Sequence, residues 1–146
     1  KAVIEQFLPR FSRGAHVLYV GDASKKELFV DDAGFERIGL VRPSRGTRLP
    51  DIVAWEEERN WLFLIEAVHS SNPISEARHA ILDKITAETT AGRIHVTAFL
   101  NRKVFAKWLG SHGIAWETEV WLADEPDHCT HFNGARFLGP YKEPNL

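Results

Sequence analysis

Two apolar runs separated by a short polar segment constrain the fold of this 146-residue chain more than any other feature. DIVAW (51–55) and WLFLIEAV (61–68) are rich in β-branched and aromatic residues, as buried strands usually are. The five residues between them, EEERN, have the composition of a hairpin loop. We therefore predict a buried antiparallel pair of strands.

Further strands and helices are predicted on both sides of this hairpin. Strand composition occurs in HVLYV, ELFVDD, FERIGLV, RIHVTAFL and IAWETEVWLA. Helical spacing of apolar residues occurs in AVIEQFLPRF, ISEARHAILDKITAETTAG and RKVFAKWLGSHG. We expect Gly92 to cap the second of these helices and Gly113 to end the third. The order of elements predicts an α/β fold with a mixed β-sheet flanked by helices.

Composition narrows the class of protein. With 44% hydrophobic residues the chain can bury a core, and its length suits one domain. A net charge of -2 argues against a protein that coats nucleic acid through charge alone. We found no apolar run of the roughly 20 residues that a membrane helix needs, so we expect a cytoplasmic location without membrane contact. Because residue 1 is Lys1 and methionine is absent, we expect a longer parent chain.

A basic segment precedes the hairpin. VRPSRGTRLP carries Arg45 and Arg48 among prolines and a glycine, which favour an extended loop. Such a loop could follow a phosphate backbone, where arginine displaces counterions. An ordinary solvated loop is the alternative.

Two carboxylates mark the candidate site. Asp51 begins one strand of the hairpin and Glu66 lies near the end of the other, so a hairpin brings them together. Paired carboxylates suit a hard divalent cation. The alternatives are a turn role for Asp51 and, for Glu66, a buried ion pair with an arginine such as Arg59 or Arg78.

Longer sequence blocks resemble a known family. Pro50-Asp51 followed by Glu66-Ala67-Val68 resembles the PD-(D/E)xK nuclease signature, with valine in the place of its lysine. The blocks YVGDASK, LIEAVHSSNPIS, VTAFLNR, IAWETEVWLADEPDH and HFNGARFLGPY together resemble the BsuBI/PstI restriction endonucleases, from about Tyr19 to Tyr141. The resemblance implies a restriction-endonuclease-like fold and a type II enzyme that cuts palindromic double-stranded DNA with Mg²⁺. Residues 1–146 would form the nuclease catalytic domain, the C-terminal part of a longer chain.

The resemblance also assigns roles to residues. Asp51 and Glu66 would be catalytic and would bind the metal, together with the backbone carbonyl of Ala67. Asp22, beside the strand end at Gly21, is a further candidate ligand, although it could equally cap a loop. Lys26 is our candidate for the missing catalytic lysine, with Lys25 and Lys84 as alternatives. The residues expected to contact DNA are Arg45, Arg48, Ser70, Ser71, Asn72, Asn133 and Arg136. For Asn133 and Arg136, a packed structural role is the alternative.

Two other functions remain open at this stage. The valine at position 68 leaves room for a DNA-binding or interaction module that keeps the nuclease fold without activity, and a structure-specific repair nuclease is the other alternative. Because cutting both strands of a palindrome requires two sites related by a two-fold axis, we expect a homodimer. A zinc site in DEPDHCTH, at His128, Cys129 and His131, is not favoured because a second ligand pair is not evident.

Overall fold

One sheet organises the part of the chain that the structure describes, a computed structural model covering residues 1–21, 27–40, 49–69, 72–110 and 113–142. Its strands are β1 (His16–Gly21), β2 (Glu27–Val30), β3 (Ile52–Glu56), β4 (Trp61–Ala67), β5 (Gly92–Phe99), β6 (Thr118–Leu122) and β7 (Cys129–Phe132). They pair in the order β2-β1-β3-β4-β5-β6-β7. The helices are α1 (Leu8–Phe11), α2 (Asp32–Arg37), α3 (Glu76–Ile85) and α4 (Arg102–Leu109), with a π-helical turn at Val3–Phe7 ahead of α1.

The sheet is mixed, as predicted. The pairs β4-β5 and β5-β6 are parallel, and the remaining neighbours are antiparallel. Parallel neighbours need a crossover connection, and α3 and α4 supply the two that this sheet requires. Among the described residues, we find no helix that is both long and apolar enough to cross a lipid bilayer.

The predicted hairpin is confirmed as β3 and β4. Its strands pair from Ile52 with Ile65 to Glu56 with Trp61. In the turn, Asn60 adopts the left-handed conformation (φ 55°), which asparagine tolerates better than most residues. The side chain of Asn60 accepts a hydrogen bond of 2.9 Å from the indole N–H of Trp55. The turn conformation of Asn60 and its hydrogen bond with Trp55 therefore stabilise the register of the two strands.

Apolar residues cover both faces of the sheet. On one face, Val53 and Leu64 pack with Phe35 and Ile38 from the α2 region and with Leu82 of α3. We call this side the α3 face. On the opposite face, the N-terminal helical segment packs against alternate residues of the same strands, among them Phe7, Ile52, Phe63, Val96 and Trp121. Because β3 and β4 are covered on both faces, their sequences are nearly continuous apolar runs.

One predicted strand is a helix. FERIGLV, of which residues 35–40 are described, contributes to α2 instead of pairing with β2. The Asp31 side chain caps this helix by accepting a hydrogen bond of 3.0 Å from the N–H of Gly34. An aspartate at the N-cap satisfies a backbone donor that a helix end leaves unpaired. This local cap, together with burial of Phe35, outweighed the strand-like composition of the segment.

The ends of two helices also differ from prediction. Helix α3 ends at Ile85, where the Thr86 hydroxyl donates a hydrogen bond of 2.6 Å to the carbonyl of Leu82, and Gly92 instead begins β5. Helix α4 ends at Leu109 with Gly110 as its cap, before the predicted Gly113.

Strand β6, the last strand that the sequence predicts, is followed by a further strand, β7. Strand β7 lies at the sheet edge, and its burial is too slight to give a clear apolar pattern.

Candidate active site

The register of the hairpin brings Asp51 and Glu66 together on the α3 face. Ile52 pairs with Ile65, so Asp51, one residue earlier, lies opposite Glu66. Side chains of residues directly opposite each other project to the same face. Both are buried, Asp51 at 9% and Glu66 at 2% exposure. Asp51 Oδ2 accepts a hydrogen bond of 2.8 Å from the backbone N–H of Ala67, which fixes this carboxylate against the end of β4.

Glu66 forms a buried ion pair with Arg78 of α3. Its Oε1 atom accepts hydrogen bonds from Arg78 Nε at 2.9 Å and Nη2 at 2.7 Å. The sequence left open an ion pair between Glu66 and an arginine, and the structure shows this pair with Arg78. Arg59, the other candidate, binds the buried Glu56. A charge this deeply buried requires such a partner.

The start of α3 is held in place so that Arg78 reaches Glu66. The Ser75 hydroxyl accepts a hydrogen bond of 3.1 Å from the N–H of Arg78, as an N-cap should. Just before the helix, the N–H of Ile74 donates to the hydroxyl of the buried Thr97 at 3.1 Å. Thr97 is the neighbour of Glu66 on β5. These contacts fix the first turn of α3 over the carboxylate.

The donor set at this end of the hairpin fits a hard divalent cation. Two carboxylates meet at the ends of β3 and β4, and carboxylate oxygens are among the ligands that Mg²⁺ prefers. Arg78 occupies Oε1 of Glu66, so it already supplies part of the positive charge there.

Comparison with known families identifies the chain. A family model of the BsuBI/PstI restriction endonuclease domain matches residues 1–135. The chain belongs to this family. The family resemblance expected from the sequence blocks is therefore confirmed.

Several relatives agree with the assignment to the BsuBI/PstI family. The chain is 46% identical, over 142 residues and 97% of its length, to the type II restriction enzyme BsuBI of Bacillus subtilis. It is 32% identical over 144 residues to the type II restriction enzyme AplI of Arthrospira platensis. The structure of SdaI restriction endonuclease matches with a TM-score of 0.83 and 46% identity over 97% of this chain, which confirms the predicted fold. The chain spans 44% of the length of each of these three proteins.

Other residues predicted for this BsuBI/PstI domain are only partly described. The N–H of Gly21, at the end of β1, donates to the carbonyl of Asp51 at 2.8 Å, so the end of β1 lies beside the start of β3. The candidates that lie outside the described residues are Asp22, Lys25, Lys26, Arg45, Arg48, Ser70 and Ser71. Lys84 is exposed six residues after Arg78, about 9 Å further along α3.

The C-terminal candidates belong to a loop organised by Tyr141. Its hydroxyl donates to Asn133 Oδ1 at 3.2 Å or to the carbonyl of Arg136 at 2.8 Å, and it accepts from the N–H of Gly134 at 2.8 Å. Arg136 lines a cavity together with His79 and Asp83 of α3. Asn72, before α3, is exposed. The structure thus brings Asp51, Glu66 and Ala67 together, and it gives Asn133 and Arg136 a separate location beside the later turns of α3.

Proposed function

We propose that this chain is the catalytic domain of a type II site-specific endonuclease, which hydrolyses phosphodiester bonds of double-stranded DNA with Mg²⁺. The observation that carries the proposal is the buried pair of Asp51 and Glu66 at the adjoining ends of β3 and β4. The type II restriction enzymes among its relatives support the same activity. We further propose that residues 1–146 are the C-terminal part of a longer chain that acts in the bacterial cytoplasm.

In this proposal the two carboxylates and the carbonyl of Ala67 hold the cation. Bound Mg²⁺ would make a coordinated water more acidic and offset charge at the scissile phosphate. The N–H of Ala67 orients the Asp51 carboxylate, and the two-donor contact of Arg78 orients Glu66. Asp22 is proposed as an additional ligand and Lys26 as the cation near the attacking water.

The proposed DNA contacts come from two parts of the sequence. They are Arg45, Arg48, Ser70, Ser71 and Asn72, before and after the hairpin in sequence, and Asn133 and Arg136 in the C-terminal loop. Asparagine and arginine have the donor geometry to bind adenine and guanine edges, respectively. Cutting both strands of a palindrome requires two such domains, so we propose a homodimer.

Isosteric neutral variants test the assignment. Asp51→Asn and Glu66→Gln keep the shape of the side chains but remove charge that binds metal, so each should abolish plasmid cleavage and leave DNA binding largely intact. Asp124→Asn and Glu36→Gln, both at exposed acids, are matched controls that should cut normally. Chelation of divalent ions should stop cleavage and Mg²⁺ should restore it. Cleavage by Asp51→Asn near the level of the unaltered protein would refute the site.

The rival function is a DNA-binding module without nuclease activity. Val68 at the lysine position of the signature is the observation that favours it. This module would bind DNA but leave it intact at every Mg²⁺ concentration. Sequencing of the cut ends adds a further distinction, because a restriction enzyme yields ends at one sequence, whereas a structure-specific nuclease yields ends that follow DNA shape.

A further inference from the structure

Three titratable side chains meet between α3 and β5, away from the carboxylate pair. His79 and Asp83 lie one helical turn apart on α3, and His95 lies opposite them on β5. Asp83 Oδ1 is 3.3 Å from His95 Nε2, and Asp83 Oδ2 is 3.4 Å from His79 Nδ1. The two imidazole rings are 4.2 Å apart at their centroids. We call this group the His79–Asp83–His95 cluster.

His95 is the residue of the cluster with an unmet hydrogen-bonding requirement. It is 5% exposed, and its Nε2 atom is buried without a hydrogen-bond partner among the described residues. The approach of Asp83 Oδ1 is short, but it does not meet the geometry of a hydrogen bond. Burial lowers the pKa of His95, and the nearby Asp83 carboxylate offsets this only in part. A buried ring nitrogen without a hydrogen-bond partner costs free energy unless something binds it.

We propose that the His79–Asp83–His95 cluster binds a divalent transition-metal ion, with Zn²⁺ as the best match. The potential ligand atoms of all three residues lie within 4.8 Å of one another. In a tetrahedral site with ligands about 2.05 Å from zinc, neighbouring ligand atoms are about 3.3 Å apart. Each histidine nitrogen is at nearly this distance from one Asp83 oxygen, His95 from Oδ1 and His79 from Oδ2, so the carboxylate would turn to present one oxygen to the ion. Two imidazoles and one carboxylate favour Zn²⁺ over Mg²⁺, which prefers oxygen ligands.

An ion can reach the cluster from solvent. The three residues line a cavity of about 500 Å³, with Glu117 and Tyr141 also in its wall. The Asp83 side chain is 42% exposed, so it forms the accessible side of the site. The remaining tetrahedral position would therefore face the cavity and take a water molecule.

The nearest positive charge, Arg93, is compatible with a bound cation. Its Nη1 donates to the backbone carbonyl of Asp83 at 2.8 Å and to the Thr86 hydroxyl at 3.1 Å. Its contact with the Asp83 carboxylate is longer, 3.4 Å. The first two contacts hold the guanidinium when the carboxylate turns toward the ion. Arg136 and Lys142 line the same cavity, so they would keep the local charge from becoming strongly negative.

The cluster is distinct from the carboxylate site but shares a helix with it. His95 is the β5 neighbour of Leu64, two residues before the Glu66–Thr97 pair. His79 directly follows Arg78, the partner of Glu66. A metal that joins α3 to β5 would therefore fix the helix from which Arg78 extends, which assigns it a stabilising role and not a place in hydrolysis.

Zinc titration of the purified, chelator-treated protein tests the proposal. Calorimetry in millimolar Mg²⁺ should give one equivalent of bound Zn²⁺, and Co²⁺ should give the absorption of a tetrahedral site. At a hundredfold excess over Kd, Zn²⁺ should raise the Tm by about 5 to 10 °C. His79→Gln, Asp83→Asn and His95→Gln should each weaken zinc binding by at least about a hundredfold.

Two control variants separate the cluster from other ligands. His128→Gln removes an exposed histidine, and Asp51→Asn removes the carboxylate proposed for Mg²⁺, so both should bind Zn²⁺ like the unaltered protein. If His95→Gln folds poorly by circular dichroism, the more exposed His79 and Asp83 positions decide the question. The proposal is overturned if the unaltered protein does not bind Zn²⁺. It is also overturned if folded His79→Gln and Asp83→Asn bind Zn²⁺ with unchanged affinity, or if Asp51→Asn loses Zn²⁺ binding.

Discussion

Replacing Arg78 with alanine should destabilise the protein strongly, because it removes both hydrogen bonds that the guanidinium donates to the buried Glu66 carboxylate. Glu66 is 2% exposed and accepts two hydrogen bonds from the Arg78 guanidinium. Breaking a buried pair of this kind costs about 3 to 5 kcal/mol. The Arg78 side chain retains 17% exposure, so water can enter in its place and the lower end of that range applies. A loss of about 3 kcal/mol corresponds to a fall in Tm of about 10 °C.

Thermal denaturation followed by circular dichroism measures this effect. Arg102→Ala is the matched control, because Arg102 makes the same two-donor contact with Glu125 on the protein surface and should change Tm little. Glu66→Gln combined with Arg78→Ala should recover much of the loss, since the buried amide is neutral and needs no positively charged partner. Mg²⁺ should recover part of the loss in Arg78→Ala if Glu66 binds the cation. Equal Tm values for Arg78→Ala and Arg102→Ala would refute the reasoning.

Three further predictions concern the fold and the DNA contacts. Burial raises the pKa of Glu56, but hydrogen bonds from Arg59 and the N–H of Arg13 more than offset this and hold the pKa below its ordinary value. Glu56→Gln should therefore lower the Tm at neutral pH. The difference in Tm should shrink as the pH falls through the lowered pKa. If a lysine elsewhere in the chain replaces the one missing from the signature, its substitution by alanine should lower the single-turnover cleavage rate a hundredfold or more without loss of DNA affinity. A change of only a few-fold in every variant would reject this idea. The variants to compare are Lys25→Ala, Lys26→Ala and Lys84→Ala. Alanine at Asn133 or Arg136 should relax sequence choice in cleavage of mismatched sites, and unchanged affinity and preference at both would make this loop structural.

The central hairpin was predictable because its signals are local and agree with one another. The apolar composition of β3 and β4, the polar loop between them and a turn-forming Asn60 all favour the same register. Once that register is known, the positions of Asp51 and Glu66 follow from the alternation of side chains along a strand. The parallel strand β5 was also predictable, because Ile94, Val96 and Ala98 alternate with polar residues as they do in a strand.

Errors arose where a few polar contacts decide between alternatives. The segment after β2 has strand-like residues, yet the Asp31 side chain caps a helix there. Helix α3 stops at Ile85, where Thr86 satisfies a terminal carbonyl, although Gly92 is a better cap by composition. Strand β7 is held by its pairing with β6, and edge strands of this kind carry little apolar pattern.

The candidate site shows the same division between local and tertiary information. Asp51 and Glu66 are apparent from sequence, whereas the partner of Glu66 had two candidates, and only the packing of α3 selects Arg78 over Arg59. That packing also explains why His79, Asp83 and His95 went unnoticed, since the spacing of four residues on α3 has no meaning until β5 lies beneath it. The first turn of α3 contacts Glu66 and its later turns face His95. A shift of the helix along its axis would alter both contacts together, so the docking of α3 sets the geometry of the carboxylate site.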